Sequence, residues 1–227
     1  MTGFVDQNGS VYEGADGTIN CTEINHIEWT ATAGALIFGS ALMYDISNAS
    51  KQWSDRLSTI LNHTESTFFT SGIMNDKACE SSNTCNVDQR FYKGILARNL
   101  ALTPLVAPFT VYQILPLLQS SAKAAASTAC SSSNGSCGFS WLQNAKESSS
   151  LDLGSQYSAF EVILSNIAAT SRGFESVDNS TQQPNNQSSS SGDKKSGSPL
   201  TVELKSTNWF SLLVVLLAGV FMFYGGF

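Results

Sequence analysis

Charged residues are scarce in this 227-residue chain. Only 13% of the residues are Asp, Glu, Lys or Arg, and the formal net charge at pH 7 is −6. No stripe of Lys and Arg is present that could neutralise the phosphates of a nucleic acid, which argues against nucleic acid as a partner. Apolar residues make up 42% of the chain, and this is enough to build the core of one folded domain.

Histidine and cysteine are also few, with two and five residues respectively. There is no Cys-x-x-Cys pair, and His26 and His63 stand alone without ligand spacing, so we expect no metal site and no cofactor. Five cysteines are too few for a miniprotein built on disulfides. Four of them predict local disulfides and leave Cys21 without a partner. The predicted pairs are Cys79 with Cys85 and Cys130 with Cys137.

The first ten residues lack both the basic segment and the apolar segment of a secretory signal peptide. Seven Asn-x-Ser/Thr sequons nevertheless favour passage through the secretory pathway. Their asparagines are Asn8, Asn20, Asn48, Asn62, Asn134, Asn179 and Asn186. Together these observations predict that the chain is the C-terminal part of a longer protein.

The C-terminus is an uncharged apolar run over residues 209–227. Small residues and a polar spacer precede this run, and that order is typical of a signal that is replaced by a glycosylphosphatidylinositol (GPI) anchor. A transmembrane helix is the alternative, but no Lys or Arg follows the run to hold it at the membrane surface. We predict a GPI-attachment signal over 199–227, attachment at Ser196, and a disordered stalk over 174–198 that is rich in Ser, Asn and Gln.

Residues 1–173 read as one all-α domain, because apolar residues recur there at helical spacing and no segment alternates convincingly with a period of two. The predicted helices cover 27–46, a segment that Ser50 caps and that runs to 68, a segment that Asp88 caps and that runs to 102, a segment that Pro108 opens and that runs to 125, and 155–172. Antiparallel helices with short loops fit either a bundle or an α/α toroid. The pattern alone does not separate these two architectures.

A set of motifs between residues 10 and 170 resembles a known family. The motifs are Asn25-His26-Ile27-Glu28-Trp29-Thr30, Gly39-Ser40-Ala41-Leu42-Met43-Tyr44, Cys85-Asn86-Val87-Asp88-Gln89-Arg90, Lys93-Gly94-Ile95-Leu96-Ala97-Arg98, Ala107-Pro108-Phe109, Leu115-Pro116-Leu117-Leu118, Cys137-Gly138 with Trp141, and Ser158-Ala159-Phe160-Glu161-Val162. Together they resemble glycoside hydrolase family 76, which includes the fungal GPI-anchored mannan endo-1,6-α-mannosidases of cell-wall assembly. The resemblance implies an (α/α)6 barrel of twelve helices, of which this chain would form the C-terminal half.

The resemblance also implies retaining hydrolysis or transfer at α-1,6-linked mannose by two adjacent aspartates. Such chemistry needs two carboxylates about 5 to 5.5 Å apart. No Asp-Asp occurs in the 227 residues, so we assign no catalytic residue and predict that the chain as it stands is inactive. Ala31 and Thr32 also stand where the family usually has Tyr-Asn facing the sugar, which weakens the implied mannose site.

Three residues within the motifs are candidates for substrate binding, namely Trp29, Lys93 and Arg98. A structural role is the alternative for each of them. Trp29 can belong to the core, and the two basic residues can bind helix-end carbonyls or a carboxylate such as Glu161. The remaining aromatic residues of the motifs are predicted to lie in the core, and they are Phe91, Phe109 and Phe160.

The sequence therefore predicts a protein of the mannan endo-1,6-α-mannosidase or transglycosidase family, active in fungal cell-wall biogenesis. The expected partners are α-1,6-mannan or the GPI-core glycan, and the membrane through a lipid anchor. The expected location is the cell surface, at the plasma membrane or in the wall. A non-catalytic GPI-anchored wall glycoprotein that binds mannan or serves structurally is the alternative. An unrelated helical surface protein is a third possibility, and a closed bundle would support it.

Overall fold

Helices dominate the part of the chain that the computed structural model describes, residues 3–142 and 151–171. The α-helices of this part are α1 (Thr30–Ile46), α2 (Lys51–Phe68), α3 (Tyr92–Val106), α4 (Val111–Ala124) and α5 (Leu153–Ser171). The prediction of a mainly helical domain is thus confirmed. None of these helices combines the length and the apolar character needed to cross a bilayer. The predicted stalk over 174–198 and attachment signal over 199–227, with Ser196, lie outside the described residues.

Two antiparallel hairpins are features that the period analysis missed. Strand β1 (Tyr12–Ala15) pairs with β2 (Ile24–Glu28), and β3 (Phe69–Thr70) pairs with β4 (Ile73–Met74). The predicted start of the first helix at residue 27 was wrong, because that position belongs to β2. Strands of two to five residues are too short for an alternating pattern to be recognised in the sequence. Each of these strands is defined by the hydrogen bonds to its partner strand across the hairpin.

The helix starts differ in detail from the predicted caps. The backbone N–H of Gln89 donates to Asn86 Oδ1 at 2.9 Å, and the N–H of Asn86 donates to Gln89 Oε1 at 2.9 Å. This reciprocal pair is a capping box, so Asn86 fills the capping role that we had given to Asp88. Ser50 stands at the N-cap of α2 as predicted, but its side chain makes no capping hydrogen bond. Pro108 opens a short 3-10 turn that leads into α4.

Helices α1, α3 and α5 pack side by side, although each is separated from the next along the chain by another helix. A Cβ added to Gly34 in α1 would lie 2.9 Å from the Cα of Leu96 in α3. A Cβ added to Gly94 in α3 would lie 2.7 Å from the ring of Tyr157 in α5. Each contact joins residues that lie within the first two turns of both helices, and the three helices therefore run parallel to one another.

The remaining helices form a second layer, with α2 packed on α1 and α4 packed on α3 and α5. The core lies between the layers, and its largest fully buried aliphatic side chains come from all five helices. They are Ile37, Leu57, Ile60, Leu96, Leu100, Ile114, Leu118 and Val162. Burial of each such side chain stabilises the fold by roughly 1.5–3 kcal/mol.

Several large apolar side chains of the first layer remain exposed. Phe160 on α5 is 56% exposed, and Leu164 one turn later is 45% exposed. Leu42 on α1 is 40% exposed. The described residues therefore do not form a closed bundle that buries every helix face. The predicted core position of Phe160 was wrong, and so was that of Phe109, which is 43% exposed. Phe91 is half-buried.

Candidate functional site

The first turns of α1, α3 and α5 lie next to one another. The rings of Trp29, just before α1, and Tyr92, at the start of α3, meet edge to face with centroids 5.6 Å apart. The Ser158 hydroxyl in α5 donates to the carbonyl of Arg90 at 2.6 Å and accepts from the N–H of Gly94 at 3.0 Å. Arg90 also forms an ion pair with Asp152, which precedes α5. These contacts fix the three helix starts at one end of the molecule.

Lys93 lies at the centre of this end and has no exposed surface. Its ammonium lies 3.1 Å from Glu80 Oε2 and donates to the carbonyl of Phe139 at 2.5 Å. The same nitrogen lies 4.0 Å from the ring centroid of Trp141 and 4.2 Å from that of Phe139, within cation–π range. Burial lowers the pKa of Lys93, while the charge of Glu80 opposes that shift. Lys93 therefore links α3 to two separate segments of the chain.

Asp76 is the second buried charged residue of this cluster, also with no exposed surface. Its Oδ2 accepts from the Thr30 hydroxyl at 2.7 Å, and its backbone N–H donates to Glu80 Oε2 at 2.9 Å. Among the described residues, no hydrogen bond reaches its Oδ1. Burial raises the pKa of Asp76 to about 6, although the hydrogen bond from Thr30 and the charge of Lys93 act in the opposite direction. The ammonium of Lys93 thus forms an ion pair with Glu80 and acts on Asp76 through its charge.

A disulfide between Cys79 and Cys85, with Cα atoms 4.8 Å apart, closes the loop that contains Glu80, and Asp76 lies just before this loop. The second predicted disulfide is also present, and the Cα atoms of Cys130 and Cys137 lie 3.9 Å apart. Both predicted pairings are confirmed. Cys21 is a free and exposed thiol. Trp29 packs on the first disulfide and on Phe139 and Tyr92 in a small separate apolar cluster.

Burial changes the interpretation of the three candidate substrate residues. Trp29 is 5% exposed and Lys93 has no exposure, so neither offers a surface to a sugar in this structure. The prediction that these two side chains contact substrate directly does not fit their burial, and both instead support the helix starts. Thr32 donates its hydroxyl to the carbonyl of Trp29 at 2.9 Å, within its own helix turn.

Arg98 is the candidate with exposed surface, since 45% of its side chain is accessible. Its guanidinium makes two hydrogen bonds to the carboxylate of Glu161 on α5, one of them 3.0 Å long from Nε to Oε2. The hydrogen bond to Glu161 raises the pKa of Arg98. The alternative of a structural pair with Glu161 is confirmed for Arg98, whereas Lys93 pairs with Glu80.

Sequence reasoning missed Asp76 and Glu80 entirely. The available signal was that two acidic residues flank Cys79 four positions apart in a chain with few charges. No motif marks them, because their partners Thr30 and Lys93 lie 46 and 13 residues away along the chain.

A cavity of about 330 Å³ lies elsewhere, and we call it the α2–α4 groove. It is lined by Asn62, Glu65, Ser66, Phe69, Gly72 and Leu117. None of the residues of the buried polar cluster lines it. The groove is therefore separate from the site at the helix starts.

The predicted glycosylation sites within the described residues all have exposed asparagine side chains. They are Asn8, Asn20, Asn48, Asn62 and Asn134. The other two, Asn179 and Asn186, lie outside the described residues. Exposure of the asparagine is compatible with a glycan at each of the five positions.

The parallel helix layer, the helix starts joined by a buried polar cluster, and the two local disulfides define a two-layer helical domain. Residues 1–178 match the domain described as glycosyl hydrolase family 76, and the chain belongs to that family.

Individual relatives show how much of such a protein is present. The chain is 40% identical over 160 residues to mannan endo-1,6-alpha-mannosidase DFG5 of Saccharomyces cerevisiae, covering 70% of this chain and 35% of the relative. It is 32% identical over 226 residues to the putative mannan endo-1,6-alpha-mannosidase C1198.07c of Schizosaccharomyces pombe, covering 98% of this chain and 51% of that protein. The crystal structure of Dfg5 from Chaetomium thermophilum in complex with glucosamine superimposes with a TM-score of 0.68 and 29% identity, over 74% of this chain and 42% of that one. The chain thus spans one third to one half of the length of these relatives.

Proposed function

We propose that this chain supplies the C-terminal half of an (α/α)6 barrel in a mannan endo-1,6-α-mannosidase or transglycosidase of fungal cell-wall biogenesis. The observation that carries the proposal is the parallel packing of α1, α3 and α5, with their starts joined by the buried Asp76–Glu80–Lys93 cluster. In an α/α barrel, alternate helices along the chain form the inner ring and the helices between them form the outer ring. Family membership and the names of the relatives support the assignment of α-1,6-mannan as the substrate.

The exposed apolar side chains of α1 and α5 support the half-barrel. Phe160, Leu164 and Leu42 lie on helices at the two ends of the parallel layer. Exposure of large apolar side chains costs free energy that burial against further helices would recover, at roughly 25 cal/mol per Å². A second set of helices that completes the ring would bury them.

The proposed chemistry is retaining, and it requires a nucleophile and an acid/base carboxyl group about 5 to 5.5 Å apart. Asp76 and Glu80 are buried and hydrogen-bonded within the cluster, so they do not fill these roles. In our proposal Trp29 and Lys93 hold the helix starts in place beneath the site and do not touch the sugar. Arg98 is the residue of this half whose side chain can reach the substrate. The adjacent aspartate pair comes from the other half of the barrel.

We further propose that the protein follows the secretory pathway to the cell surface, where a GPI anchor at Ser196 holds it in the plasma membrane or the wall. Two disulfides, which persist in oxidising compartments, support this route. The sequons and the order of small residues, spacer and apolar tail are the sequence features that support it. The acceptor in a transfer reaction would be a mannan or a GPI-core glycan.

An assay for the release of reducing ends from linear α-1,6-mannan tests this function. We expect residues 1–227 to release no reducing ends, because loss of both carboxylates removes nucleophile and acid together. A chimaera that joins them behind the N-terminal portion of the Saccharomyces cerevisiae relative should cleave mannan. The matched control is the same chimaera with the two adjacent aspartates of its N-terminal portion changed to Asn. Turnover by residues 1–227 alone, or an inactive but folded chimaera, would contradict the proposal.

The missing Asp-Asp also favours a second candidate, a non-catalytic wall glycoprotein that binds mannan. Half of a cleft offers less contact surface than a complete one, so the expected dissociation constant is on the order of 1 mM or weaker. Affinity electrophoresis of residues 1–227 in gels that contain α-1,6-mannan measures it. Micromolar binding without turnover in the chimaera would favour this second function.

A further inference from the structure

The α2–α4 groove lies directly beside one of the sequons. Asn62 itself lines the groove, and Thr64, the hydroxyl residue of its sequon, lies one turn before the end of the same helix. Phe69 and Leu117, each 8% exposed, contribute only narrow apolar edges, and polar atoms come from Glu65 and Ser66. A volume of about 330 Å³ lies in the range of cavities that hold small ligands. The groove thus combines two apolar edges with polar groups next to a possible attachment point.

The amide of Asn62 is held in a defined orientation. Gln113 Nε2 on α4 donates to Asn62 Oδ1 at 3.0 Å and to Glu65 Oε2 at 2.8 Å. The two N–H groups of one amide therefore bridge two acceptors on α2. Among the described residues, no hydrogen bond uses Nδ2 of Asn62. The atom to which a glycan attaches is consequently available, and the contact with Gln113 can persist after glycosylation.

We propose that Asn62 carries an N-linked glycan whose first N-acetylglucosamine lies in the α2–α4 groove and joins α2 to α4. This inference rests on the proposed secretory route and is independent of the mannanase activity. In the transfer, Asn62 Nδ2 bonds to C1 of the sugar, the bond from C1 to the diphosphate of a lipid-linked oligosaccharide donor breaks, and the amide loses one proton. The apolar face of the ring packs on Phe69 and Leu117, while its hydroxyl and acetamide groups face Glu65 and Ser66.

The other described sequons lack such a surface. Asn20 and Asn48 lie in loops with positive φ angles of 57° and 56°. Asn134 lies in the loop closed by the Cys130–Cys137 disulfide, where its Oδ1 accepts from the N–H and the hydroxyl of Ser136. None of these three residues lines the α2–α4 groove. Asn62 is therefore the position where a glycan is expected to affect stability.

The effect of the glycan on stability is measured by comparing each variant with the wild type, both with and without glycans. Residues 1–198, which end before the predicted GPI-attachment signal, and the variants Asn62→Gln and Ser50→Ala of this segment are secreted from yeast behind an added leader. Their glycans are trimmed to single N-acetylglucosamine residues with endoglycosidase H. The same three proteins are made without glycans in the bacterial periplasm, where disulfides form. Ser50→Ala removes the Asn48 sequon and is a matched control, because the Ser50 side chain makes no capping hydrogen bond. Peptide mapping by mass spectrometry gives the occupancy of each sequon.

The expected result is an Asn62 glycopeptide in the secreted protein and a Tm that Asn62→Gln lowers by about 2–4 °C relative to the glycosylated wild type. In the unglycosylated protein the same substitution should lower the Tm by less, because there it disturbs only the hydrogen bond from Gln113. Ser50→Ala should have no glycan-dependent effect. Amide hydrogen exchange in α4 around Leu117 should be slower when the glycan is present.

Two results would overturn the inference without touching the mannanase proposal. One is an unoccupied Asn62 beside occupied sequons elsewhere. The other is an occupied Asn62 whose glycan changes neither the Tm nor the exchange rates in α4, since a glycan that projects into water would behave in that way. The mannanase proposal is tested separately, by the assay of the chimaera on mannan.

Discussion

Replacement of Asp76 by Asn should remove most of the pH dependence that this buried cluster gives to folding. Asp76 has no exposed surface, and burial raises its pKa from 3.8 to about 6. The folded protein therefore binds this proton more tightly than the unfolded chain, so the associated stability is present below pH 3.8 and is lost as the pH rises towards 6. A shift of about two pKa units corresponds to roughly 3 kcal/mol lost by neutral pH.

Urea unfolding of the wild type and of Asp76→Asn at pH 4.5 and 7.5 measures this effect. Most of the ionisation falls in that interval, so the wild type should lose about 2 kcal/mol more than the variant between the two values. With a slope of about 2 kcal/mol per M urea, the difference corresponds to a midpoint change of about 1 M. Comparison of the two proteins at each pH cancels the contributions of titrating groups that do not interact with residue 76.

The matched control is Asp45→Asn, since Asp45 is exposed on the surface of α1. This variant should show the same pH dependence as the wild type. An equal loss of stability between pH 4.5 and 7.5 in the wild type and in Asp76→Asn would refute the reasoning. It would mean that Asp76 is ionised at the same cost in the folded and unfolded states.

Three further variants, one of them a control, test the packing of the parallel helix layer and of the buried charges. Gly34→Ala should destabilise the fold by about 1–3 kcal/mol in urea unfolding, because the new Cβ would lie 2.9 Å from the Cα of Leu96. The control Gly39→Ala, whose new Cβ would have no atom within 4 Å, should stabilise the fold by up to about 1 kcal/mol. Equal effects would contradict the close approach of α1 and α3. Lys93→Met should destabilise by about 3–5 kcal/mol at pH 7.5, because it leaves Glu80 buried without its cation. A change below 1 kcal/mol would show that the pair is not buried in solution.

Local features of the fold could be predicted from the sequence. Apolar spacing of 3.6 residues identified the helices, since the period depends only on residues within a few turns. The pairs Cys79–Cys85 and Cys130–Cys137 were identified because each closes a loop of fewer than ten residues. The family was identified because its motifs are continuous stretches of sequence, such as Lys93-Gly94-Ile95-Leu96-Ala97-Arg98.

The candidate site was predicted only in part. The motif analysis selected Trp29, Lys93 and Arg98, and all three lie on the early turns of α1 and α3 or just before them. It could not distinguish a buried charge from an exposed one, because exposure depends on which helix faces pack together. For the same reason Phe160 was assigned to the core although more than half of its surface is exposed.

The sequence by itself thus determined the helical class, the two disulfides and the family, all of which are recorded in neighbouring residues. Only the tertiary structure decided that Asp76, Glu80 and Lys93 form one buried cluster. Segments separated by up to 109 residues meet around it, from Thr30 to Phe139. The physical reason is that a charged side chain is buried only where partners from distant segments compensate for its loss of hydration. A local sequence pattern does not show which distant segments will come together.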